Sequence, residues 1–191
     1  AILARMRRVL SRGGDVRSVV TATRLLARLD DEVPLATSPF LHGFIPPVYL
    51  SPLAADECRA LLARGSFAPD EVETIIERTA CHPFLVQLLA SRLFENRDLA
   101  ATLEQLAADE MVANFFSVDF QTLAEAERAL LTEVAREGAR NRRELALGTG
   151  QGEEALEVPL YGLTMLGYLT RDGDSYRLTN WLFERWLRRR L

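Results

Sequence analysis

The chain of 191 residues has no lysine, and all 23 of its basic residues are arginine. A phosphate-binding P-loop needs Gly-rich backbone amides and a lysine that neutralises the β and γ phosphates, followed by Ser or Thr on Mg²⁺. No such stretch occurs, and no apolar strand ends in the paired acids that would steady the metal. ATP hydrolysis by that route is therefore excluded for these residues unaided, and they are not expected to act as an enzyme by themselves.

Other reactive side chains are equally scarce. Cys58 and Cys81 stand alone and far apart, and the histidines are His42 and His82. Neither a disulfide framework nor a metal-ligand spacing can be built from them, so reduced, buried thiols and no metal are expected. No apolar run approaches the roughly 20 residues of a membrane helix, and no charged, apolar and small-residue succession marks a secretory leader. The expectation is a cytoplasmic protein without membrane contact. The net charge of −4 argues against a chain devoted to nucleic acid, whose footprint is normally basic.

What is present is mostly helical periodicity. Residues 1–12 place Ile2, Leu3, Met6, Val9 and Leu10 at helical spacing among Arg5, Arg7, Arg8 and Arg12, and Gly13-Gly14 stops the pattern. Val16 to Thr21 is β-branched and short, which reads as a strand ending near Arg24. A turn-rich stretch with Pro34, Pro39, Pro46 and Pro47 leads to a second short strand at Val48-Tyr49-Leu50. Four helical patterns follow: Ala54 to Arg64, Pro69 to Thr79, Pro83 to Phe94 and Leu99 to Val112. Between the second and third lies Thr79-Ala80-Cys81-His82-Pro83, a rigid elbow with proline in the first turn, where a missing N–H costs nothing.

The pattern changes from Phe115. Thr122-Leu123-Ala124-Glu125 has the form of a capping box for a helix running through Leu130, Leu131 and Val134 to Gly138. Asn141-Arg142-Arg143-Glu144 caps a short helix through Leu145 and Leu147, and Glu153 to Gly167 forms a third with Leu156, Leu160, Leu163 and Leu166 on one side. Tyr168 to Arg171 and Ser175 to Leu178 flank Asp172-Gly173-Asp174, a hairpin signal. A last helix carries Trp181, Leu182, Phe183, Trp186 and Leu187. Three helices, a β-wing and a closing helix together predict a winged helix-turn-helix.

Several of these phrases resemble STAND and AAA+ nucleotide-switch ATPases. Cys81-His82-Pro83 is similar to the Gly-x-Pro or Gly-His-Pro turn of their lid, whose proline packs on the adenine, although Cys81 stands where the family usually has glycine. Thr21-Ala22-Thr23-Arg24 resembles the sensor-1 region, where an arginine lies near the γ-phosphate; guanidinium geometry suits phosphate oxygens. Ser51-Pro52-Leu53-Ala54-Ala55-Asp56-Glu57 looks like the exit from the core into the first lid helix. By this resemblance Arg24, His82 and Pro83 would contact nucleotide.

The expected fold is mainly α. It comprises the tail of an α/β nucleotide-binding core (1–52), a four-helix lid subdomain (53–112) and a winged-helix domain with a small β-wing (113–191). The resemblance implies a regulatory part of a molecular switch, gating ADP or ATP state and oligomerisation. ATP or ADP with Mg²⁺ would be bound only when the missing core completes the site, and none by these residues alone. The implied partners are that core, other domains of a parent protein, and further copies of the chain.

A winged-helix transcriptional regulator is the alternative, and a helical protein-interaction adaptor is the second. The third helix of a DNA-reading winged helix presents basic or amide side chains to the major groove. Here it opens on Glu153, Glu154 and Glu157, with no basic residue from Glu144 to Thr170. Arginines at positions 140, 142, 143, 171, 177, 185 and 188–190 leave phosphate contact as the only DNA mode. Family members often carry a regulatory histidine in the winged helix, whereas this chain has none after His82.

Overall fold

A computed structural model describes residues 50–191. The expected helix at 1–12, the strand at 16–21, Arg24, and the strand at 48–50 apart from Leu50 lie outside the described residues. The unit from Leu50 to Leu191 is compact in itself.

The unit is mainly α-helical, with one small three-stranded antiparallel sheet. It begins with α1 (Ala55–Leu62), α2 (Pro69–Thr79), α3 (Pro83–Asn96) and α4 (Leu99–Ala108). Alanine stands at the N-cap of both α1 and α2, where it offers no side-chain acceptor. Glu57 and Glu71 supply the reciprocal half of a capping box, accepting from the Ala54 and Ala68 amides at 2.8 and 2.7 Å. The expected helix from Leu99 to Val112 is in fact two. Asp109 ends α4 and caps α5 (Glu110–Thr122), its carboxylate accepting from the Met111 and Val112 amides. A carboxylate that captures two amides in this way stabilises a new helix start more than a continued turn.

α6 (Glu125–Glu137) starts at Ala124, and not at the expected Thr122 box. The Thr122 hydroxyl donates to the Asp119 carbonyl of its own helix, and Glu127 accepts from the Ala124 amide. β1 (Arg140–Asn141) and α7 (Arg142–Thr149) follow, the latter capped reciprocally by Asn141 and Glu144. A 3₁₀ turn (Glu154–Leu156) leads into α8 (Glu157–Met165). Pro159 lies in the first turn of α8, where N–H groups have no intrahelical partner, so the helix runs on through it. β2 (Leu169–Asp172) and β3 (Ser175–Leu178) form the expected hairpin, with Gly173 at φ +58° in its turn. The sheet order is β1-β3-β2, Arg140 pairing with Tyr176 and Leu169 with Leu178. The two-residue β1 is too short to leave a strand signature in sequence.

The chain closes on α9 (Trp181–Arg188), started by Asn180, whose side chain accepts from the Phe183 amide. Its apolar stripe is buried at Leu182, Phe183, Trp186 and Leu187. These join one continuous core with Ile75, Leu85, Val86 and Leu89 of the first helices and Leu130, Leu131, Leu156, Leu160 and Leu163 of the later ones. Phe183 is the aromatic hub, with Phe116, Tyr168 and Trp186 ring centroids at 5.2, 5.4 and 5.6 Å. Arginines in α9 and at its carboxy-terminal cap fasten its polar side. Arg185 pairs with Glu104 at 3.0 Å, Arg188 donates to the Ala135 carbonyl at 2.8 Å, and Arg189 donates to the Ala107 carbonyl. Among the described residues no helix is long and apolar enough to cross a membrane.

Truncating the hub tests whether α9 holds both groups of helices together. Phe183→Ala is expected to cost roughly 3–5 kcal/mol, read as a lower urea midpoint in equilibrium unfolding followed by tryptophan fluorescence.

Candidate functional site

α2 ends at Thr79, and the chain turns through two successive left-handed residues, Ala80 (φ 50°) and Cys81 (φ 56°), before His82 takes the N-cap position of α3 without a side-chain capping bond and Pro83 opens the helix. Left-handed backbone costs a non-glycine residue about 1–2 kcal/mol, so the corner is held by its surroundings. Two carbonyls freed by the turn are taken by distant parts of the chain. The Cys81 carbonyl accepts from the Leu53 amide at 3.1 Å, and the Thr79 carbonyl accepts from Asn180 Nδ2 at 2.8 Å. The Thr79 carbonyl also receives the His82 amide at 3.0 Å, which closes the turn.

Cys81 is buried beside the fully buried Cys58. Burial first, and the neighbouring Cys81 thiol second, push the Cys58 thiol up to about 12. It is therefore protonated at neutral pH, packing as a small apolar group. The positive φ at Cys81 is a conformation that ordinarily favours glycine, and here it is occupied by a buried thiol residue.

His82 packs edge-on to Phe115 of α5 (centroids 5.3 Å), which in turn meets Phe84 at 5.0 Å. Its Nδ1 is buried without a hydrogen-bond partner. Burial lowers the imidazole pKa, while the Asp119 carboxylate acts in the opposite sense. Asp119 is itself raised by burial, and His82 draws it back. Two half-buried ionisable groups thus face each other across the corner, each inclined to its neutral form by desolvation.

The structure thus brings His82 and Pro83 together with Phe84, Phe115, Asp119 and Asn180, whereas Arg24 lies outside the described residues. Phe115, Asp119 and Asn180 were not singled out from sequence. Asn180 had a local signal, an amide residue before an apolar helical pattern, but nothing local pointed to Thr79. Asp119 reaches His82 only through the packing of α5. Among the described residues no three His, Cys, Asp or Glu side chains lie close enough to hold a metal ion.

Two outcomes test this geometry. Ala80→Gly relieves the left-handed strain without emptying the core and is expected to raise stability by up to about 1 kcal/mol, measured as a higher urea midpoint. His82 has a folded pKa below its unfolded value, so the unfolded chain binds the proton more readily. Its contribution is complete above the unfolded pKa of about 6.5 and is lost as pH falls from there through the folded pKa. Asp119, raised in the folded state, acts oppositely and offsets part of that loss at lower pH. The urea midpoint should therefore fall on acidification below about pH 6.5. His82→Gln should flatten that slope, and Asp119→Asn should lower the imidazole pKa further in an NMR titration.

No protein-family model matches this sequence, and no curated protein matches it. Among solved structures, a Walker-type ATPase of Pyrococcus abyssi superposes with a TM-score of 0.47 at 20% sequence identity, over 72% of this chain and 42% of that one. The chain thus spans less than half the length of that structure.

Proposed function

We propose that this chain is the regulatory portion of a STAND-type nucleotide switch, a helical lid followed by a winged helix, acting on a site completed by a core that carries the phosphate loop. The observation that carries this reading is the bond from Asn180 Nδ2 to the Thr79 carbonyl. It ties the start of the closing helix to the elbow before His82-Pro83, 101 residues earlier in the chain. A displacement of the elbow by nucleotide would be felt directly by α9, which packs against α2, α4 and α6. The succession α6, β1, α7, α8, β2, β3, α9, with sheet order β1-β3-β2, supports the winged-helix assignment.

In this reading Pro83 offers its ring to the base, and the neutral His82 shapes or hydrogen-bonds the same end of the nucleotide. Arg24 answers the γ-phosphate. Mg²⁺ and the phosphates belong to the completing core, since these residues carry no lysine for them. The winged helix packs on protein in the ADP state, and its release on ATP binding permits oligomerisation. The role is switching and not catalysis.

The test is thermal unfolding of the 191-residue chain and of a form extended at its amino terminus by about 200 residues, the size of a nucleotide-binding core, with and without Mg-ADP and Mg-ATP. A ligand at 100 times its Kd stabilises by about 2.7 kcal/mol. A rise in midpoint confined to the extended form is expected, and Asn180→Ala there should change the ADP-to-ATP affinity ratio. No response of the extended form to either nucleotide would overturn the reading.

A further inference from the structure

We propose that the outer face of α8 is a docking surface for a basic, amphipathic segment of a partner protein. Along this helix Leu160 and Leu163, with Leu156 just before it, are buried in the core. Val158, Tyr161 and Met165, at i, i+3 and i+7, share the opposite side. They are 79%, 68% and 48% exposed. Helices that pack by one stripe normally turn polar side chains to water on the other. This helix of nine residues instead spends three outward positions on large apolar groups, a pattern that marks an interaction surface.

The charge around the face selects the occupant. Glu153, Glu154 and Glu157 are exposed at its amino-terminal end and form no ion pair among the described residues. No basic residue occurs from Glu144 to Thr170 to balance them. Duplex DNA would bring phosphates against three carboxylates, and a second copy of the same face would bring three more. A segment whose apolar side chains cover Val158, Tyr161 and Met165, and whose arginines or lysines reach the three glutamates, meets both demands. The inference rests on this face alone and not on nucleotide binding, so it stands or falls separately from the switch.

The experiment uses the 191-residue chain and a fluorescein-labelled synthetic helical peptide with leucines at i, i+3, i+4 and i+7 and arginines at the remaining positions. Two control peptides replace the arginines by glutamates or the leucines by serines. Fluorescence anisotropy is expected to show saturable binding of the Leu/Arg peptide and of neither control. The double variant Val158→Ser/Tyr161→Ser should weaken it at least about tenfold, equivalent to about 1.4 kcal/mol. The triple variant Glu153→Gln/Glu154→Gln/Glu157→Gln should weaken it and remove its salt dependence. All five side chains are exposed, so the thermal midpoints of the variants should match the parent chain and separate lost docking from lost folding. Absence of binding by the parent chain, equal binding by the parent and the α8 variants, or binding of a DNA duplex that the same α8 substitutions abolish would overturn the proposal.

Discussion

The left-handed corner at Ala80–Cys81 is the constraint on which the arrangement of the described residues depends. Two non-glycine residues in that region are unfavourable in isolation, and they persist because the carbonyls they release are claimed from elsewhere. Leu53, ahead of α1, donates to Cys81, and Asn180, ahead of α9, donates to Thr79. One turn thereby fixes the start of the first helix and the start of the last. The cost is local, and the return is the register of three chain segments.

The second consequence is electrostatic. The corner carries His82 inward against Phe115, where desolvation favours the neutral imidazole, and places it opposite Asp119. Next to it, Cys58 and Cys81 are buried as apolar filling, and the exclusion of water raises the Cys58 thiol pKa.

The closing helix converts these local facts into a single unit. Phe183 and Trp186 meet Phe116 and Phe120 of α5, while Arg185, Arg188 and Arg189 fasten the polar flank to α4 and α6. The buried aromatic area dominates the energetics; the exposed Arg185–Glu104 pair adds orientation more than stability. The outer face of α8 presents exposed Val158, Tyr161 and Met165, with Glu153, Glu154 and Glu157 at its amino-terminal end.

Local sequence determined most of the elements. The limits of α2, the start of α3 at Pro83, the Asn141–Glu144 cap and the hairpin about Gly173 all follow from proline position, reciprocal caps and glycine in a turn, whose physics acts within four residues. Where competing local signals existed, they misled: Asp109 won two amides and split one expected helix, and Glu127 drew the start of α6 to Ala124 and away from Thr122. Tertiary structure alone decided the rest. β1 exists because β3 offers it a partner, Asp119 faces His82 because α5 packs across the corner, and Asn180 finds Thr79 because the folded core brings them together. Those outcomes depend on pairing between residues tens of positions apart, and no periodicity or cap encodes them.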